Sequence, residues 1–81
     1  MFYAEIEMAI HEGELEQVKL GHKEQYNVDT RIIQPRGPNG WPIAHVESQD
    51  LPTLRNFLAW FHDEEANSDF ISDQVFYTEY Y

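Results

Sequence analysis

Residues 51–62 read LPTLRNFLAWFH, and this stretch decides the predicted fold. Its large apolar residues recur at i, i+3, i+7 and i+10, the spacing of an amphipathic helix with one buried side. They are Leu51, Leu54, Leu58 and Phe61, with Phe57 beside them. Ser48 or Asp50 can cap the N-terminus, and Pro52 lies in the first turn, where its missing N–H does no harm. We therefore predict a helix over about residues 51–62.

The residues before this helix predict an antiparallel sheet. Residues 2–10 alternate between apolar and mostly polar side chains, as in a strand with one buried face. Residues 15–20 fit either a strand or a helical turn closed by Gly21, and we favour the strand. Residues 25–33 alternate again and stop before Pro35. The glycine-containing loop at 36–40 joins them to residues 41–47 in a hairpin.

Two structures are open for the end of the chain. Residues 74–81 have strong β propensity, whereas residues 69–76 could form a short helix capped by Ser68. The chain thus predicts one α+β domain over residues 1–81. It has a small antiparallel sheet of three to five strands, with the 51–62 helix packed on one face. The other face carries Tyr3, Glu5 and Glu7 and stays open to water.

Composition excludes several classes of protein. The net charge of −10 on 81 residues argues against direct nucleic-acid binding and against anionic membrane surfaces. No apolar run is long enough to cross a bilayer, and the acidic N-terminus does not read as a signal peptide. The absence of cysteine excludes disulfides and fits a reducing cytoplasm. We assign both tryptophans, Trp41 and Trp60, to the core and expect a basic partner.

No residue pattern predicts catalysis or a bound cofactor. The four histidines, at positions 11, 22, 45 and 62, lack the spacing that places ligands on one metal ion. Glu5 and Glu7 share a strand face, but any strand with alternating acids gives this arrangement. No serine or cysteine is set beside a histidine as a nucleophile. We therefore predict a protein that is not an enzyme and that needs neither metal nor cofactor.

Charge is concentrated in the last third of the chain. Residues 62–70 read HDEEANSDF, and from residue 47 onward eight acids accompany one cation, Arg55. Acids at the C-terminal end of a helix are unfavourable for the helix, so their presence points to binding. The predicted partner-binding residues are Asp63, Glu64, Glu65, Asp69 and Asp73, then Glu5 and Glu7, with packing from Tyr77 and Tyr80.

A short, acidic, cysteine-free chain with the helix LPTLRNFLAWFHDEE and an acidic end resembles the small phage-encoded anti-defence proteins. These are the anti-CRISPR and anti-restriction inhibitors, many of which are DNA mimics. The resemblance lies in size and charge and carries over no binding residues. It implies a non-enzymatic inhibitor that occupies the basic nucleic-acid-binding groove of a defence complex in the bacterial cytoplasm.

The alternative is an interaction module such as an antitoxin, an immunity protein or an assembly subunit. Such a module would bind through its exposed aromatic surface rather than through its charge. The C-terminal edge strand could also pair with a second copy, because an unpaired strand edge with aromatic residues invites dimerisation.

Overall fold

The computed structural model describes residues 1–79, apart from the side chain of Glu12. Tyr80, one of the predicted contact residues, lies outside the described residues. Seven α-helices and β-strands follow one another along the described residues, and a 3₁₀ helix at Glu12–Glu14 precedes the first α-helix. They are β1 (Phe2–Glu7), α1 (Leu15–Tyr26), β2 (Asp29–Gln34), β3 (Ile43–Ser48), α2 (Leu51–His62), α3 (Asp69–Ser72) and β4 (Phe76–Tyr77).

The four strands form one antiparallel sheet in the order β2-β3-β1-β4. Since β1 and β2 both run antiparallel to β3, they are parallel to each other, and α1 connects them across the intervening strand. Apart from the short helix α3, the element order is β-α-β-β-α-β, and with this strand order it has the ferredoxin-like, split β-α-β topology. The predicted α+β class, with an antiparallel sheet and a helix packed on one face, is confirmed.

The core lies between one face of the sheet and the helices. Ala4 and Ile6 of β1 and Val46 of β3 point toward Leu54 and Phe57 of α2, and these side chains are at most 3% exposed. Because side chains alternate along a strand, the intervening residues project to the opposite face. No helix among the described elements covers that opposite face.

The predicted strand at residues 15–20 is wrong, because these residues begin the helix α1. Gly21 lies inside this helix and does not close it; Asn27, with a left-handed φ of 57°, ends it instead. The one buried residue of α1 is His22, whose Nδ1 lies 2.9 Å from Thr30 Oγ1. Val18 and Tyr26 of α1 also pack against the core but are only partly buried. Because a polar residue takes the most buried position, α1 lacks the continuous apolar stripe that identifies helices in a sequence.

The other predicted elements are confirmed with modest changes in length. The helix α2 spans Leu51–His62 as predicted, and Asp50 caps it by accepting a 3.0 Å hydrogen bond from the Thr53 N–H. The hairpin connects β2 and β3, although β2 begins four residues later than predicted. Both structures considered for the C-terminal region occur, since the short helix α3 follows Ser68 and a two-residue strand follows it.

Candidate functional site

Five of the predicted partner-binding acids lie on one continuous piece of chain, residues 63–73, which we call the acidic segment. All five side chains are exposed: Asp63, Glu64, Glu65, Asp69 and Asp73. The segment starts at the C-terminal end of α2, where the backbone of Asp63 takes a left-handed φ of 55°. Its N–H and that of Glu64 then bond to carbonyls of the last helical turn. The first two acids are therefore held by the helix end itself.

The second half of the acidic segment is fixed by α3. The Ser68 hydroxyl accepts a hydrogen bond from the Ile71 N–H at 3.3 Å and so begins the short helix. Ile71 is fully buried in the core, and α3 contacts α2. Asp69 and Asp73 stand one helical turn apart, with the Asp73 N–H bonded to the Asp69 carbonyl at 2.9 Å. The segment thus presents its acids from an ordered frame rather than from a loose loop.

Within residues 1–79, no cation neutralises the acidic segment. The described contacts of this kind lie elsewhere in the fold: Lys23 pairs with Asp29 at 3.4 Å, and His45 Nε2 lies 3.6 Å from Glu47 Oε2. His62 precedes the segment, but burial lowers its pKa, and the opposing effect of Glu64 is smaller. Burial thus disfavours the charged imidazole that would otherwise offset the acids beside it.

Glu7, at the end of β1, is engaged within the protein. Its carboxylate accepts hydrogen bonds from the Asn39 N–H at 2.9 Å, the Asn39 side-chain amide at 2.8 Å and the Trp41 N–H at 3.3 Å. Desolvation raises the pKa of Glu7, but these hydrogen bonds outweigh it and leave the pKa below its usual value. Its clearest role is to hold the β2–β3 loop against the end of β1.

Glu5 lies on the sheet face that carries no helix, which we call the open sheet face. Seven residues line a shallow concavity of about 690 Å³ on this face: Tyr3, Glu5, Arg31, Ile33, His45, Glu47 and Thr78. The Tyr3 ring stacks on His45 at 4.8 Å and on Phe76 of β4 at 5.5 Å. Glu5 is therefore part of a mixed aromatic and charged surface, distinct from the acidic segment.

The predicted aromatic contact Tyr77 is 60% exposed and packs against Phe2, with ring centroids 5.1 Å apart. The two tryptophans assigned to the core are not buried, since Trp41 is 39% and Trp60 55% exposed. Trp60 instead stacks over Tyr26 on the outside of the helical layer, with ring centroids 5.1 Å apart. The aromatic surface of the protein is consequently larger than the sequence predicted.

The sequence did not single out Arg31, His45 and Glu47 as surface partners of Glu5. These residues are far from Glu5 in the chain and meet it only through the pairing register of β1, β3 and β2. Alternation within 41–47 places residues 43, 45 and 47 on one face, but it does not say which strand lies next to β3. Glu5 and Arg31 could be placed on either side of His45 only once the strand order was known.

Among the described residues, no three His, Asp or Glu side chains are grouped so that they could hold a metal ion. No helix within residues 1–79 is both long enough and apolar enough to cross a membrane. No protein-family model matches the chain, and neither a curated protein nor a solved structure matches it.

Proposed function

We propose that this protein is a non-enzymatic inhibitor of the anti-CRISPR or anti-restriction type. It binds a basic, nucleic-acid-binding surface of a host defence complex. The acidic segment is the contact surface, and the inhibitor excludes DNA by occupying its site. The observation that carries the proposal is the ordered array of exposed acids at residues 63–73, which no described cation neutralises.

The size and charge of the molecule suit this role. Its longest dimension is 31 Å, and duplex DNA carries about 18 phosphates over that length at one charge per ~1.7 Å. One side of the duplex shows roughly half of these phosphates, which is close to the net charge of −10 on the protein. A groove that binds one side of a DNA duplex would therefore meet a similar total negative charge when it binds this protein.

The ordered frame of the acidic segment favours binding. Ile71 anchors the segment in the core, and Ser68 and the end of α2 fix its backbone. Little conformational entropy is then lost when a partner binds, and this loss is a main cost of association. Complementary charge adds a faster encounter and a preferred orientation.

A second candidate function is that of an ordinary interaction module, favoured by the exposed aromatic side chains. Trp60, Phe76 and Tyr77 are each more than half exposed, and aromatic residues are enriched at the energetic centres of interfaces. Salt separates the two candidates. Exposed charge pairs are screened over about 8 Å at physiological ionic strength, whereas apolar contacts are not.

The test is capture of partners from a bacterial lysate with the immobilised protein, followed by elution with rising salt or with duplex DNA. The proposal predicts a basic nucleic-acid-binding protein that leaves the resin as salt rises and that DNA displaces. A partner that resists salt and ignores DNA would contradict the proposal and favour the interaction module.

A charge-reversed bait sharpens the test. Replacing Asp63, Glu64 and Glu65 with lysine is expected to abolish capture. The matched control replaces three exposed acids on or next to α1, namely Glu14, Glu16 and Glu24, with the same charge change. Equal loss of capture by both baits would show that total charge, and not the acidic segment, determines binding.

A further inference from the structure

We propose that the open sheet face is the contact surface for a second copy of this chain, with Arg31 of each copy lying over Glu5 of the other. The inference rests on the charge pattern of the face, and it does not depend on the function proposed above. The described helices all pack on the opposite side of the sheet, and the described part of the chain leaves Glu5, Arg31 and Ile33 exposed on this face.

The pairing register sets the charge pattern. Glu5 of β1 and Arg31 of β2 both lie directly opposite His45 of the central strand β3. The three residues therefore form one row across the sheet, with the cation at one end and the anion at the other. With strands about 4.8 Å apart, the two charges stand roughly 10 Å from each other on either side of β3. Both side chains are exposed.

This row is self-complementary under two-fold symmetry. A two-fold axis parallel to the strands, placed above β3 and between two facing sheets, exchanges the β2 side with the β1 side. Arg31 of one copy then lies above Glu5 of the other, twice per dimer, as an isologous interface requires. Packed sheets stand about 10 Å apart, a gap that an arginine and a glutamate side chain span together.

Apolar side chains surround the charged row. Ile33 of β2 is 44% exposed, and the second sheet would cover it because β1 of the copy lies over β2. The shallow concavity of about 690 Å³ beside Tyr3 and His45 gives room for the arginine of the second copy. Each face spans only roughly 20 by 20 Å, so two faces bury on the order of 800 Å², which is less than the ~1,200 Å² of stable interfaces and in the range of weak, transient ones. The expected dimer is accordingly weak and reversible.

Glu47 opposes this pairing. It lies on β3 near the proposed axis, so the two Glu47 side chains of a dimer approach each other. Each one, however, is 14% exposed and lies beside His45, with Glu47 Oε2 3.6 Å from His45 Nε2. The carboxylate is therefore turned along the sheet rather than toward the second copy. Glu47→Gln removes the remaining like-charge repulsion and is expected to strengthen association.

The acidic segment stays free in such a dimer. It follows α2, which packs on the covered face of the sheet. Dimerisation would therefore present two acidic segments rather than hide them.

The test is sedimentation equilibrium of the full chain over a wide concentration range, at physiological ionic strength and neutral pH. We expect a concentration-dependent monomer–dimer equilibrium for the unmodified protein. Glu5→Arg and Arg31→Glu should each weaken association by about tenfold or more, because each places like charges opposite one another. The double variant carrying both changes should restore association to within about threefold.

The matched control is Glu24→Arg, an equal charge change on the exposed side of α1, which should leave association unchanged. Circular dichroism confirms that each variant is folded. Three results would overturn the proposal. They are a monomer at every concentration, dimers that survive both single reversals, and a double variant no better than the single ones.

Discussion

Two pairs of acids in this protein sit at opposite ends of helices, and we predict opposite effects on stability when they are neutralised. Asp63 and Glu64 follow the last residue of α2, where the negative end of the helix dipole makes an acid unfavourable. Glu14 is the N-cap residue of α1 and Glu16 lies in its first turn, where the positive end of the helix dipole favours an acid. Asp63→Asn with Glu64→Gln should stabilise the protein, and Glu14→Gln with Glu16→Gln should destabilise it.

The magnitude follows from the number and position of the charges. An exposed acid at a helix end contributes about 0.3–1 kcal/mol, so each pair changes the free energy of unfolding by roughly 1 kcal/mol. For a chain of 81 residues this corresponds to a shift in Tm of about 4–8 °C. The side chain of Glu14 makes no capping hydrogen bond, so its effect is electrostatic. Asparagine at position 63 tolerates the left-handed backbone there as aspartate does.

The assay is thermal unfolding by circular dichroism at neutral pH, first in dilute buffer and then in about 1 M salt, where screening acts over ~3 Å. Both double variants remove two carboxylates and carry a net charge of −8 instead of −10, so any effect of total charge is the same in both. Shifts of Tm in the same direction would refute the reasoning. So would an opposite pair of shifts that persists unchanged in high salt.

Three further predictions concern the loop, the histidines and the anchor of the acidic segment. Glu7→Gln should lower the midpoint of urea unfolding and alter Trp41 fluorescence, because an amide with a single oxygen cannot accept all the loop hydrogen bonds. Burial places the folded-state pKa values of His22 and His62 below their ordinary 6.5, so the unfolded state binds more protons in acid. Stability should therefore fall as pH drops below about 6.5, by at most about 1.4 kcal/mol per pH unit for each histidine, and His22→Gln should reduce that slope. Ile71→Ala should cost about 2–5 kcal/mol in the same unfolding assay, because it empties a fully buried position.

Local signals in the sequence predicted the elements that local forces determine. The helix α2 has its apolar stripe, its Asp50 cap and its first-turn proline within a few residues of one another. The hairpin between β2 and β3 is likewise set by its glycine-containing loop. Both were predicted because capping and turn chemistry act over short distances.

The helix α1 could not be recognised by the same rules. Its buried contact with the sheet is made by His22, and its other apolar residues remain partly or largely exposed. Treating His22 as a core residue would have revealed the spacing Leu15, Val18, His22 and Tyr26, which follows one side of a helix. Only the position of Thr30 on the neighbouring strand explains why a histidine can be buried there.

The acidic segment was visible in the sequence, whereas the open sheet face was not. Acids that are neighbours in the chain stay together in any fold, so the sequence alone predicted their grouping. The structure shows in addition that their side chains are exposed. The row of Arg31, His45 and Glu5 depends on two strand pairings that bring distant residues side by side. Glu7 shows the reverse case, since the sequence grouped it with Glu5 but the structure ties it to Asn39 and the hairpin loop.

Titration calorimetry of the purified, captured partner tests most directly whether the acidic segment is the binding surface. The unmodified protein is compared with the variant in which Asp63 becomes Asn and Glu64 and Glu65 become Gln, at low and at physiological salt. The matched control neutralises Glu14, Glu16 and Glu24 with glutamine. Our account predicts a weaker Kd and a flatter salt dependence for the first variant alone. An unchanged Kd for that variant, or the same change in the control, would contradict it.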